Sequence, residues 1–222
     1  MNNLFSFFKK IKFQNVISLG YNCEVSFYIQ RYCKNLNSSL FSWAYVFSVE
    51  SLLGALSDLD NLFTKNISKP TPLYKDNDFN IAFHGNLPDL DLINPDITFS
   101  DEVLENDRKN TIEKIAYLKE KFKEVLSSKE NKILFYKVRE NDIDKKEDFI
   151  KLYNKLKEYS NNFKLVVIVE KEFLKDFKKI EQERLYFRGV EKFNPENHSD
   201  YNTYEKDWYK IFKEFKIKKG KN

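Results

Sequence analysis

The stretch Leu165-Val166-Val167-Ile168-Val169 is an unbroken aliphatic run. A strand with one wet face alternates apolar and polar residues. A run with no polar break is buried on both faces, the condition of an interior strand in a parallel sheet covered by helices on either side. The rest of the chain fits that frame. Asn15 to Leu19, ended by Gly20, Ile133 to Val138 and Leu185 to Phe187 read as further strands, and Asp78 to His84 as another that ends at Gly85. Between them the apolar residues recur at helical spacing. Val25, Tyr28, Ile29 and Tyr32 mark a helix over 23–33, Ser48 caps one over 49–59, and Ile112, Ile115, Phe122 and Leu126 line one over 105–128. Phe149, Leu152, Tyr153 and Leu156 mark another, a short one covers 173–180, and Trp208, Ile211, Phe212 and Phe215 mark the last. Strands alternating with helices predict an α/β three-layer sandwich, a mostly parallel sheet of about five strands flanked by helices, with an SGNH- or flavodoxin-like topology. The domain is expected over 15–216, after an N-terminal extension of 1–14 and before a basic tail of 217–222.

Composition narrows the function classes. At 222 residues the chain suits one domain with a real core. Aromatic residues at 16% exclude a disordered chain. Two cysteines cannot build a disulfide framework, and no apolar run approaches the roughly 18–20 residues of a membrane span. The opening MNNLFSFFKKIKF is too short and too broken by Lys for a secretory signal. A soluble, cytoplasmic protein with reduced thiols is expected. Lys+Arg is 38 against 34 Asp+Glu, and five of the 38 are Arg. Lysines scattered among acids argue against a nucleic-acid partner, because such readers concentrate Arg on one face.

Open parallel sheets bind ligands beyond the C-terminal ends of their strands. Gly20, Tyr21, Asn22 and Cys23 follow the first strand, His84 ends the Asp78 strand, and Arg139 follows the Ile133 strand. Cys23 would stand at the start of a helix, where a thiol ionises more easily and the thiolate is the nucleophile. Gly20 permits the sharp strand-to-helix turn that exposes such a residue. The bland alternative is a packed cysteine, which is the reading for Cys33. His84 or His198 would serve as base and then acid, with Asn197 and Asp200 near the second as orienting groups. Either histidine would otherwise be a structural cap. No CxxC or HxxxH spacing points to zinc, and the glycines of a Walker or dinucleotide loop are absent. The acidic loop Asp89–Asp96 leaves open a third reading, a metal-dependent glycosyl- or phosphoryl-transfer enzyme.

Ile17-Ser18-Leu19-Gly20-Tyr21-Asn22-Cys23-Glu24-Val25 resembles the SLG-x-x-C-x-V opening of a bacterial family of unknown function described as papain-like cysteine peptidases. The likeness continues in Leu40-Phe41-Ser42-Trp43, where that family has PFDW, and in Phe83-His84-Gly85, where it has FHD. It continues further in Ile133 to Arg139 and in Trp208. The opening is also similar to the GNCQ motif of capsule-polysaccharide acetyltransferase-like proteins that bind coenzyme A. Both resemblances imply a Cys23 nucleophile attacking an acyl or thioester carbonyl with His84 or His198 as base. Gly20, Asn22, Trp43 and Arg139 would lie on the substrate and oxyanion side. They imply no required cofactor, a coenzyme A thioester as an acyl donor, and a small-molecule, glycan or peptide substrate. Ser42 and Gly85 stand where the family has Asp. The alternative is a non-catalytic accessory protein of surface-polysaccharide biosynthesis on the same fold.

Overall fold

A computed structural model describes residues 13–21, 23–34, 38–69, 73–87, 99–139, 142–191 and 200–219. The fold is mixed α/β, with two sheets. The strands β1 (Asn15–Ser18), β6 (Lys132–Lys137), β7 (Phe163–Glu170) and β8 (Leu185–Val190) form one parallel sheet in that order. Its register sets Val16 beside Ile133, Leu134 beside Leu165, and Val167 beside Phe187. The aliphatic run of β7 is interior as its composition requires, paired on both edges. The parallel strands lie in chain order. A flavodoxin-like sheet instead places its first strand inside, whereas here β1 is at the edge.

Alternate residues of β6 and β7 feed two separate cores. Leu134, Tyr136, Leu165 and Val167 pack with Leu52, Ile115, Phe149 and Phe177. These come from α2 (Val49–Ser57), α3 (Asp101–Ser127), α4 (Lys146–Tyr159) and α5 (Leu174–Phe177). Ile133, Phe135, Val166 and Ile168 pack with Val25, Ile29, Trp208 and Phe212 of α1 (Cys23–Cys33) and α6 (Asp200–Glu214). Burying that much aliphatic and aromatic surface on both faces is the main stabilising term, about 25 cal/mol per Å² of apolar area removed from water.

The strand ending in His84 does not join the parallel sheet. β2 (Ala44–Val46), β3 (Ile67–Ser68), β4 (Leu73–Asp76) and β5 (Ile81–His84) form a second, antiparallel sheet in the order β2-β5-β4-β3. The expectation of a single sheet of about five strands is corrected here, and the reason is local. Asp76, buried, accepts from the N–H groups of Asp78 and Phe79 through one oxygen and from Phe63 through the other. Asn80 takes a left-handed φ of +53°, which Asn tolerates. Together they close a tight hairpin between β4 and β5, so β5 finds its partner in the strand immediately before it. A parallel partner would need a long crossover.

Phe13 packs against the α1–α6 core and Gln14 N–H donates to Asn131 O. Ile217, expected in the tail, is buried in that same core. Among the described residues, no helix is long and apolar enough to cross a membrane.

Candidate active site

The turn from β1 into α1 rests on two residues in the left-handed half of backbone space. Gly20 has φ +92° and Tyr21 has φ +99°. For Gly20 that conformation carries no steric cost; for Tyr21 it is strained, a condition that persists where surrounding contacts hold it. Tyr21 O accepts from Val46 N–H, and Gly20 N–H donates to the Ser18 hydroxyl. A Cβ on Gly20 would lie 2.4 Å from Val46 Cγ2. Gly20 therefore lets the turn press directly onto β2, which joins the parallel sheet to the antiparallel one. Gly20→Ala is expected to cost about 2–4 kcal/mol through strain and overpacking, measured as a fall in urea midpoint; an unchanged midpoint would show that the contact is soft.

The juxtaposition brings the two sheets' chemistry together. Cys23 is the first residue of α1, and His84 the last residue of β5. Cys23 Sγ lies 3.6 Å from His84 Nε2, both side chains half-buried. Sixty-one positions separate them in the chain. Cys33, at the other end of α1, is different: burial pushes its thiol up to about 11.

Below the first turn of α1 lies a polar ring. The Lys137 ammonium donates to Glu24 Oε2 at 2.6 Å and to the Tyr204 hydroxyl at 2.5 Å, and the Tyr204 hydroxyl donates to Glu24 Oε1. Burial, then the Glu24 charge, holds the Tyr204 phenol protonated far above its ordinary range. The ring compensates a buried Lys at the end of β6 and ties α6 to the helix that carries Cys23. Unpaired, that ammonium would be costly to bury.

A second buried carboxylate holds the His84 side. Asp107 of α3 is 4% exposed. Its Oδ1 accepts from the N–H groups of Asn86 (2.8 Å) and Leu87 (3.2 Å), and its Oδ2 from the Tyr74 hydroxyl (2.8 Å). Burial, then the bond to Asp107, raises the Tyr74 phenol well above its usual value. A Cβ on Gly85 would lie 2.5 Å from Asp107 Oδ2. Asp107 of α3 therefore occupies the space that a side chain at position 85 would need. Asp107 grips backbone rather than the imidazole, and it fixes where β5 ends. Ser42 holds backbone as well. Its hydroxyl accepts from Ser39 N–H at 2.8 Å, and the Ser39 hydroxyl donates to Ser18 O.

Of the other expected site residues, Gly20 is the pivot described above. Trp43 precedes β2 and donates its indole N–H to the Ser38 hydroxyl. Arg139, just past β6, donates to Phe47 O at 3.2 Å and to the Tyr45 hydroxyl at 3.0 Å. Asn22, His198 and the Asp89–Asp96 loop lie outside the described residues. Among the described residues, no cluster of three or more His, Cys, Asp or Glu is arranged to hold a metal ion. Glu24, Lys137, Tyr204 and Asp107 were not expected from sequence. Asp107 had a signal, since counting four residues back from Ile115 along the buried stripe of α3 reaches Thr111 and then, four further, Asp107. No protein-family model, curated protein or solved structure matches the chain.

Proposed function

We propose that the protein is a thiol-dependent acyl-transfer enzyme, a hydrolase or acyltransferase, with Cys23 as nucleophile and His84 as its base. The supporting observation is the 3.6 Å approach of Sγ to Nε2 at a helix N-terminus. Nucleophile and base within reach of each other are the geometric requirement of covalent catalysis, and the distance is often looser before substrate binds. His84 takes the Cys23 proton, and the thiolate adds to an ester or thioester carbonyl. The positive N-terminal end of α1 would stabilise the developing oxyanion. The tetrahedral adduct expels its alkoxide or thiolate leaving group, which takes the proton from the imidazolium. A water or an acceptor hydroxyl then gives its proton to His84 and displaces Cys23 from the acyl group. A coenzyme A thioester fits as donor, and a cytoplasmic location fits the reduced thiol the mechanism needs.

A second reading is a binding or accessory protein, for example in surface-polysaccharide biosynthesis. One observation favours it: among the described residues, no carboxylate bonds the His84 ring. A single experiment separates the two. Incubation with an activated thioester, followed by intact mass and peptide mapping, is expected to place one acyl group on Cys23 and none on Cys23→Ala. Wild-type protein that stays unmodified while its thiol alkylates normally would favour the binding reading.

A further inference from the structure

We infer that the half-buried aromatic cluster of Tyr21, Tyr45 and Phe47, with the Arg139 and Lys75 cations against it, is a recognition site for an anionic group carried by the substrate. The group is a carboxylate or a phosphate. The inference rests on the Cys23–His84 reading and adds the charge class of what that pair acts on.

Arg139 is held in place without being neutralised. Its Cζ lies 4.8 Å from the Tyr45 ring centroid, 5.3 Å from that of Tyr21 and 5.6 Å from that of Phe47. Its two hydrogen bonds go to neutral acceptors, the Phe47 carbonyl and the Tyr45 hydroxyl. A guanidinium has five N–H donors in a rigid fork, so donors remain for a bidentate partner. Arg31, Arg108, Arg184 and Arg188 each have a carboxylate within 4 Å. Arg139, among the described residues, has none. Glu170 lines the same small cleft as Arg139 but forms no ion pair with it.

Lys75 repeats the pattern. Its ammonium sits 4.8 Å from the Phe47 centroid and, among the described residues, makes no ion pair. Two cations on one ring lie within about a Debye length of each other. An anion bound beside them would offset that repulsion. Lys137, nearby over Tyr21, is already matched by Glu24.

Position links the cluster to the candidate site. Lys75 is paired with Ala82 and Leu73 with His84, so Lys75 and His84 project from the same face of the β4–β5 pair. Tyr45, opposite Ala82, shares that face. Tyr21 stands two residues before Cys23. An anion over the aromatic cluster would therefore sit on the substrate side of the thiol.

The test compares two alkylating agents of nearly equal size, anionic iodoacetate and neutral iodoacetamide, with Cys23 labelling followed by peptide mass at low ionic strength. The wild-type rate ratio, iodoacetate over iodoacetamide, is expected to exceed that of free cysteine about three- to tenfold. Lys75→Gln and Arg139→Gln are each expected to lower it several-fold. Inorganic phosphate and acetate then compete separately. Whichever abolishes the iodoacetate advantage at lower concentration identifies the anion class. A wild-type ratio equal to that of free cysteine, or one unmoved by Lys75→Gln, overturns the inference. The dyad is judged separately, by the iodoacetamide rate and its response to His84→Ala. The ratio is read whatever that rate is.

Discussion

His84→Ala is expected to lower turnover on an activated ester or thioester by about 10²–10⁴-fold, the range contributed by a positioned acid–base group. The same substitution has a readout that needs no substrate. An ordinary thiol, with a pKa near 8.5, is only about 1% thiolate at pH 6.5. With the imidazole 3.6 Å from Sγ, wild-type Cys23 is expected to alkylate at pH 6.5 at least tenfold faster than in His84→Ala. By about pH 9.5 the two proteins should converge, because the thiolate then forms without help. Cys33 is the internal control. Burial raises its thiol to about 11, so at pH 8 only about a thousandth is ionised and it should label far more slowly than Cys23. Equal rates at pH 6.5 would sink the base role of His84.

What was legible in the chain follows the range of the interactions. The bounds Cys23–Cys33 of α1 and the interior place of β7 were readable, because periodicity and aliphatic runs are local signals. The second sheet was not. Its strands run two to four residues, too short for alternation to show, and the Lys69-Pro70-Thr71-Pro72 breaker stands directly before β4. Missing that sheet assigned His84 to the wrong strand order, although its position at a strand end was right. Sequence could nominate Cys23 and His84 as partners, but their contact lay beyond its reach. It depends on Gly20 allowing the β1–α1 turn to close against Val46, a tertiary contact between residues whose separation carries no pattern. The Glu24–Lys137–Tyr204 ring was hidden for the same reason, each member looking like an ordinary residue of its own element.

Asp107→Ala is expected to damage both stability and the site, because one carboxylate serves three donors, of which only the Tyr74 hydroxyl has a second acceptor, Leu104 O at 3.2 Å. Tyr74 is 2% exposed, and its hydroxyl would lose its charged partner and keep only the Leu104 carbonyl. The Asn86 and Leu87 N–H groups would lose theirs at the end of the strand that carries His84. Hydrogen bonds to charged groups are worth about 1.5–3 kcal/mol each, and the contributions overlap when one group makes all three. A loss of about 3–5 kcal/mol follows, which for a chain of this size lowers the melting temperature by about 10 °C. Asp107→Asn separates geometry from charge. Its carbonyl oxygen can still accept from Asn86 and Leu87, and its amide can donate to the Tyr74 oxygen, so it should lose less than half as much. The site responds in the same order. With the 85–87 backbone released, the imidazole is no longer held against Sγ, and Cys23 alkylation at pH 6.5 should fall toward the His84→Ala rate in Asp107→Ala but stay near wild type in Asp107→Asn. Gly85→Ala is the control if Asp107→Ala does not fold. Its Cβ would press on Asp107 Oδ2 from 2.5 Å and move the same turn while leaving the carboxylate in the chain. A low-pH alkylation rate unchanged in both Asp107→Ala and Gly85→Ala would show that β5 holds His84 without help from α3.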